Sequence, residues 1–234
     1  MDIGEFDKFA DEYRAMHATN IAISGESPDF FADYKIRDVA RIFQEAGIAA
    51  SVAHPRILDF GAGIGTSVPF FRKYFPAASL TCLDVSTKSL ELGESRFHGE
   101  AEFVAFDGNA LPFDDGRFDI VFAACVFHHI DHAEHVRLVR EMSRVLAPGG
   151  FAVIFEHNPL NPLTVRAVNT CPFDENARLL GASTLKKTFE SAGFRQPRHR
   201  YRIFFPHFAR MLRPLEQMMA WLPLGAQYYV YARK

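Results

Sequence analysis

No run in this chain is apolar for long enough to cross a bilayer, so no transmembrane span is expected. The opening Met1-Asp2-Ile3-Gly4-Glu5 is acidic and polar, unlike a secretory signal. An excess of charge is also missing. The 26 Lys and Arg nearly balance the 28 Asp and Glu, giving a net charge of -2 and none of the basic footprint that a nucleic-acid partner requires. Cysteine is scarce, and three cannot all pair within one chain. Cys82 and Cys125 fall in or near apolar strand-like runs, where a thiol behaves as a small hydrophobe. A reducing cytoplasm is therefore expected and a disulfide framework is not. No histidine or cysteine spacing suits a structural zinc, and no RNA-binding module is recognisable. What is present is core: 48% of the 234 residues are hydrophobic, enough for one α/β domain with modest additions.

Strand-like and helix-like patterns alternate along that core. Tyr34 to Glu45 places Ile36, Val39, Ala40, Ile42 and Phe43 at helical spacing. Short apolar strands follow at Ile57 to Phe60, Leu80 to Asp84, Ala101 to Phe106, Phe118 to Ala123 and Phe151 to Phe155. Asp131 is a good N-cap for a helix carrying Val136, Leu138, Val139, Met142 and Val145 to a stop at Pro148-Gly149-Gly150. Ser183 can cap a further helix ending at Gly193, and tail strands are expected at Arg200 to Phe205 and Gln227 to Arg233. Such alternation predicts a parallel sheet with right-handed crossovers, and ligands then bind beyond the carboxyl ends of the strands.

At the first of those ends stands Asp59-Phe60-Gly61-Ala62-Gly63-Ile64-Gly65. Glycines let the backbone approach a nucleotide-like ligand and turn where side chains resist. The spacing is G-x-G-x-G, not the G-x-G-x-x-G that holds a pyrophosphate on a helix N-terminus. Asp59, two residues before the first glycine, repels a diphosphate and favours a cation. That combination points to S-adenosylmethionine, whose sulfonium and amino group are both positive. Asp84, ending the second strand, is placed to accept ribose hydroxyls, with Val85 beside it. Asp107 can accept from an adenine amino group, while Gly108 and the amides after it face the ring.

These runs, with the FDIVFAACVFHHI strand and the REMSRVLAPGGFAVI helix-turn-strand, stand in the order found in one family. Over residues 34 to 157 the chain resembles a class I S-adenosylmethionine-dependent methyltransferase, of the broad type that includes the ubiquinone and menaquinone methyltransferases. The resemblance implies a Rossmann-like α/β fold: a seven-stranded, mostly parallel sheet with an antiparallel last strand and helices on both faces. It implies S-adenosylmethionine as cofactor and S-adenosylhomocysteine as product. It also implies that Lys35 lies near the methionine carboxylate and that Tyr13, in FDKFADEY, belongs to a segment folding over the cofactor. Residues 1–33 are read as an N-terminal cap segment. Residues 34–234 are read as the methyltransferase domain, with substrate-side insertions near 158–182 and 206–224.

Methyl transfer from a sulfonium asks the protein to align the acceptor and, for a hydroxyl or amine, to remove a proton. A neutral imidazole suits that task. His128, with His129, follows the fourth strand and His157 follows the fifth, both bordering the expected methyl position; Glu156 could orient His157. The chain has Ala124-Cys125-Val126-Phe127-His128 where methylases of nucleobase amines or glutamine amides carry Asn/Asp-Pro-Pro-Tyr/Phe, so a small-molecule acceptor is the residual reading. The insertion from Asn158 through Asp174 reads as a substrate or lid segment. His207 to Leu222 carries the stripe Phe208, Met211, Leu212, Leu215, Met218, Met219 and Trp221. Packing on the core or on a second copy of the chain is expected there, and membrane contact is not. The competing classes are a protein that binds S-adenosylmethionine or its product without turnover, and a nicotinamide dehydrogenase, which Asp59 and the glycine spacing disfavour.

Overall fold

The computed structural model describes residues 25–234; Tyr13 and most of the expected cap segment lie outside them. Helix α1 runs Pro28–Glu45, six residues longer at its start than the apolar spacing predicts. The local chemistry explains the difference. The Ser27 hydroxyl accepts from the Phe30 amide, and Pro28 stands at the first turn, where its missing N–H is no loss.

Seven strands follow in one sheet, β1 Arg56–Phe60, β2 Ser79–Asp84, β3 Glu102–Ala105, β4 Phe118–Ala124, β5 Leu146–His157, β6 Arg198–Arg202 and β7 Gln227–Arg233. Their spatial order is β3-β2-β1-β4-β5-β7-β6. The pairs among β1 to β5 are parallel, whereas β7 is antiparallel to both β5 and β6. The expected sheet is therefore the observed one. The β5 strand starts earlier than expected because Leu146 already pairs with Phe118 before the register shifts to Ile120 with Phe151.

Side chains alternate along the strands, and so do their destinations. Leu58, Val121, Ala152, Ile154 and Val230 pack with Leu138 and Met142 of α4 (His132–Val145) and Leu185 and Phe189 of a later helix, Ala182–Ser191. Ile57, Ile120, Phe122, Val153 and Phe155 pack on the other face against Tyr34, Ile36 and Val39 of α1 and Phe71 of α2 (Val68–Tyr74). Each fully buried large apolar side chain contributes about 1.5 to 3 kcal/mol, so this double-faced core is the main source of stability. Helix α3 (Thr87–Arg96) joins β2 to β3 and starts at Ser86, whose hydroxyl accepts from the Ser89 amide.

Three expectations need correction. Ser183 is not a cap: the helix Ala182–Ser191, α6, begins after Gly181, and Ser183 lies within its first turn. The 158–182 segment, expected to be an insertion, contains a helix that hydrophobic periodicity misses, α5 at Pro162–Asn169, where Asn161 accepts from the Leu163 and Thr164 amides. The 207–222 stripe is not one core-facing helix. Residues His207–Leu215 form 3-10 turns with none buried, and a short α7 (Glu216–Met219) follows Pro214. Phe208, Met211, Met218 and Trp221 are 89%, 87%, 77% and 72% exposed.

Candidate functional site

The glycine turn leaves β1 and crosses the end of β2, with the Gly61 and Ala62 amides both donating to the Leu83 carbonyl, at 2.7 and 3.0 Å. Gly61 has φ +74°, and a Cβ there would meet Val126 Cγ2 at 2.4 Å, so only glycine fits. The Gly63 amide donates to Asp84 Oδ2 at 2.7 Å, and the Ser86 amide to Asp84 Oδ1 at 2.9 Å. The second-strand acid thus ties the turn to the start of α3. Val85 beside it is partly buried against the core.

Asp59 is 2% exposed, and its Oδ2 has no hydrogen-bond partner. Burial pushes its carboxyl up to about 7, with the Asp84 charge adding to the rise while the Ser67 hydroxyl and Lys35 oppose it. An unpartnered carboxyl oxygen of that kind is costly unless a donor reaches it. Beside it, nothing lies within 4 Å of where a Cβ on Gly63 would stand, and the same holds at Gly108. A buried acid with one oxygen lacking a donor, four residues before open glycine backbone, fits a cationic, nucleotide-like group, so the residues present suit S-adenosylmethionine. Lys35 is buried on α1, with its Nζ 3.5 Å from Cys125 Sγ at the end of β4. Asp107 is exposed and accepts from the Asn109 amide at 2.8 Å, which holds its carboxyl below its ordinary range. Arg137 secures the adjoining loop through the Gly108 carbonyl, 2.9 Å away.

A second cluster stands where β4 and β5 end. Cys125 has φ +59°, a turn that sends the chain back across the sheet edge into a short 3-10 turn, Phe127–His129. Burial raises its thiol, but His157 and Lys35 outweigh that and bring it down to about 7. Glu156 does not orient His157, as adjacency suggested. Neighbours on a strand face opposite sides of the sheet, and Glu156 instead meets His128, with Oε2 2.6 Å from Nδ1. Its other oxygen accepts from the Val126 and Phe127 amides at 3.1 and 2.8 Å. The Nε2 atoms of His128 and His129 each lie 3.4 Å from Asp174 Oδ1. Burial lowers the His128 imidazole, but Glu156 and Asp174 outweigh it and push it up to about 10. His157 sits beside this group, its ring 5.3 Å from that of His128 and its Nδ1 3.3 Å from Gln227 Nε2.

Asp174 and Gln227 are the site residues that sequence reasoning missed, and Glu156 is the one it gave to the wrong histidine. The Cβ of each is carried by a separate element, and no linear spacing links them. The two clusters meet through Lys35 and Cys125, so the residues expected to hold a cofactor, Asp59, Gly61, Gly63, Gly65 and Asp84, and the two candidate histidines stand at the carboxyl ends of the parallel strands.

Residues 57–150 match the family described as "Methyltransferase domain". A ubiquinone/menaquinone biosynthesis C-methyltransferase of Ectopseudomonas mendocina is 30% identical over 154 residues, 62% of this chain. The chain spans 59% of that relative's length. Among solved structures, an S-adenosylmethionine-dependent methyltransferase of Thermotoga maritima superposes with a TM-score of 0.68 at 16% identity, over 100% of both chains. Phosphoethanolamine N-methyltransferase 2 of Haemonchus contortus, solved with S-adenosyl-L-methionine, gives a TM-score of 0.57 at 20% identity, over 77% of this chain and 49% of that one. These structures share the fold, and the sequence match falls on the segment that carries the glycine turn and its acids. Over the segment that carries the glycine turn and its acids, the chain is similar to the class I S-adenosylmethionine-dependent methyltransferases.

Proposed function

We propose that the protein moves the methyl group of S-adenosylmethionine to a small-molecule acceptor. The observation that carries this reading is the buried, unpartnered Oδ2 of Asp59 beside the open backbone of Gly63. In this reading Asp59, Gly61, Gly63, Gly65 and Lys35 hold the methionyl end, Asp84 and Val85 the ribose, and Asp107 and Gly108 the adenine. The bound cofactor supplies a methyl already activated on sulfur. The chain then has to align the acceptor and, where the acceptor is a hydroxyl or amine, take its proton.

His157 is the residue for that proton. Its ring is half-buried, and the Gln227 amide holds its Nδ1 side. His128 is less suited, being 1% exposed with one ring nitrogen on Glu156 and the other turned to Asp174. The wall next to His157 is built from residues 158–163 and 223–226, joined by Asn158 Nδ2 to the Gly225 carbonyl at 2.7 Å and Asn161 Nδ2 to the Leu224 carbonyl at 2.8 Å. Leu160, Leu163 and Leu224 on it are 64%, 58% and 62% exposed, which supports an acceptor with an apolar body. Similarity to a C-methyltransferase of ubiquinone/menaquinone biosynthesis favours an activated carbon as the acceptor atom.

Calorimetry with S-adenosylmethionine and with NAD, followed by release of S-adenosylhomocysteine across a panel of quinols, phenols and amines, tests the reading. We expect binding of the first ligand alone and turnover on part of the panel. On hydroxyl and amine acceptors His157→Ala is expected to lower turnover by about 10² to 10⁴ while leaving cofactor affinity nearly unchanged. Binding without turnover on any acceptor would make the protein a cofactor-binding module. Near-normal turnover in His157→Ala would return that histidine to a structural role.

A further inference from the structure

The geometry points to a metal site: His128, His129 and Asp174 are placed to bind one tetrahedral divalent transition ion of the zinc type. Their ligand atoms all lie within 4.8 Å of one another. Each of the two imidazole Nε2 atoms is 3.4 Å from the same carboxylate oxygen, Asp174 Oδ1. That separation is long for a hydrogen bond, which prefers about 2.7 to 3.2 Å. Two of the three ligand–ligand edges thus have the length of a coordination tetrahedron's edge, since bonds of about 2.1 Å to zinc place neighbouring ligands about 3.4 Å apart. An octahedral ion with bonds of the same length needs neighbours about 3.0 Å apart, so magnesium, which also prefers oxygen donors, fits less well.

The surroundings are those of a built site. Glu156 holds Nδ1 of His128 at 2.6 Å, which fixes the ring plane and turns Nε2 toward Asp174, and an ion bound there displaces the Nε2 proton. The carboxylate is itself anchored by the Val126 and Phe127 amides. Asp174 comes from the 158–182 insertion, in a 3-10 turn at Pro172–Asp174, and the Arg178 amide donates to the His128 carbonyl at 2.7 Å to bring that segment back to the end of β4. The three side chains are 1%, 12% and 14% exposed, buried enough to exclude competing water and open enough on the Asp174 side for an ion to enter. A fourth position would remain for water or an acceptor oxygen. The linear sequence hides such a site because its ligands come from two segments, one of them an adjacent histidine pair.

Metal binding is independent of methyl transfer and is read without turnover. Untagged, chelator-stripped protein is titrated with Zn²⁺ against a competing chromophoric chelator. Co²⁺ is then added in place of zinc to read the visible spectrum. We expect one equivalent of Zn²⁺, much weaker Mg²⁺ binding, and a Co²⁺ band of tetrahedral intensity. His129→Ala and Asp174→Asn, chosen because neither side chain is fully buried, should each weaken Zn²⁺ by more than about 100-fold, beyond the roughly 10- to 100-fold lost with an outer partner. Their circular dichroism should match that of the unsubstituted protein. No binding below about 100 μM Zn²⁺, where affinity would be weaker than about 5.5 kcal/mol, overturns the site. So does one-equivalent binding that both variants retain, or a Co²⁺ band of octahedral weakness.

Discussion

The ends of β1 and β2 and the ends of β4 and β5 are built in opposite ways. At the first pair the backbone does the work: glycines set the turn, amides point at Asp84, and one oxygen of a buried acid lacks a donor. At the second pair, side chains from β4, β5, β7, the insertion and α1 interlock, and nearly every polar atom near His128 has a neighbour. The half proposed to bind the cofactor is left short of one partner, while the proposed acceptor half is satisfied from within.

The largest expected effect separates these halves by stability. Glu156→Ala leaves His128 and the Val126 and Phe127 amides without their buried acceptor. Denaturant unfolding should show a loss of about 3 to 5 kcal/mol; a loss under about 1 kcal/mol would mean that the acceptor half is not held together in this way. Asp84→Ala should behave in reverse. Cofactor affinity should fall by roughly 2 to 4 kcal/mol, while unfolding changes by roughly 1 kcal/mol for the lost Gly63 and Ser86 bonds. Affinity within about threefold of the unsubstituted protein, or about 0.7 kcal/mol, removes Asp84 from the ligand.

A smaller effect tests the unpartnered acid through pH. The Asp59 carboxyl is raised in the fold, to about 7, so the folded chain keeps its proton where the unfolded chain has lost it. Its contribution to stability therefore declines as pH rises from the ordinary carboxylate range through about 7. A cationic ligand favours the ionised form. Calorimetric affinity for S-adenosylmethionine should then rise between pH 5.5 and 7, by at most about tenfold per unit, and Asp59→Asn should flatten that slope. An unchanged slope in the variant would assign the titration to another group.

The smallest expected effect is none at all. Trp221 is the chain's one tryptophan and is 72% exposed on the 207–222 stripe. Arg213 pairs with Glu26 and stacks on Phe30, 4.4 Å from its ring centre, which leaves few cations to meet an anionic surface. Anionic vesicles should not shift Trp221 emission to the blue, nor carry the protein upward in flotation. A salt-sensitive shift would make a membrane-borne acceptor the leading reading.

How much of this was legible follows from how local each feature is. The glycine turn and the Asp131 cap could be read because each is set by its neighbours in sequence, and the strand alternation predicted the sheet, whereas the ligand roles expected of Asp59 and Asp84 stay proposals. His128 and His157 could be picked out as histidines after strands, but their partners could not. Glu156 was assigned to the wrong histidine because adjacency in a strand means opposite faces. The stripe of Phe208 to Trp221 has the spacing of a buried helix, yet periodicity cannot say what covers a face, and Pro214 breaks the segment. The α5 helix was missed although Asn161-Pro162 is a start signal, since its apolar positions are few.

The position of β7 between β5 and β6 has a consequence for how the chain acquires its parts in time. β6 has no other neighbour in the sheet, and Gln227, opposite His157 on one side and Arg202 on the other, opens the last strand to be laid down. Parallel pairing of β1 to β4 can precede it, but β6 must wait for residues 227–233 to dock on β5. Non-local pairings of this kind are slow to form, and synthesis delivers the later residues last. A ribosome-bound chain stalled after β5 would thus hold a finished glycine turn while the floor beneath His157 was still missing.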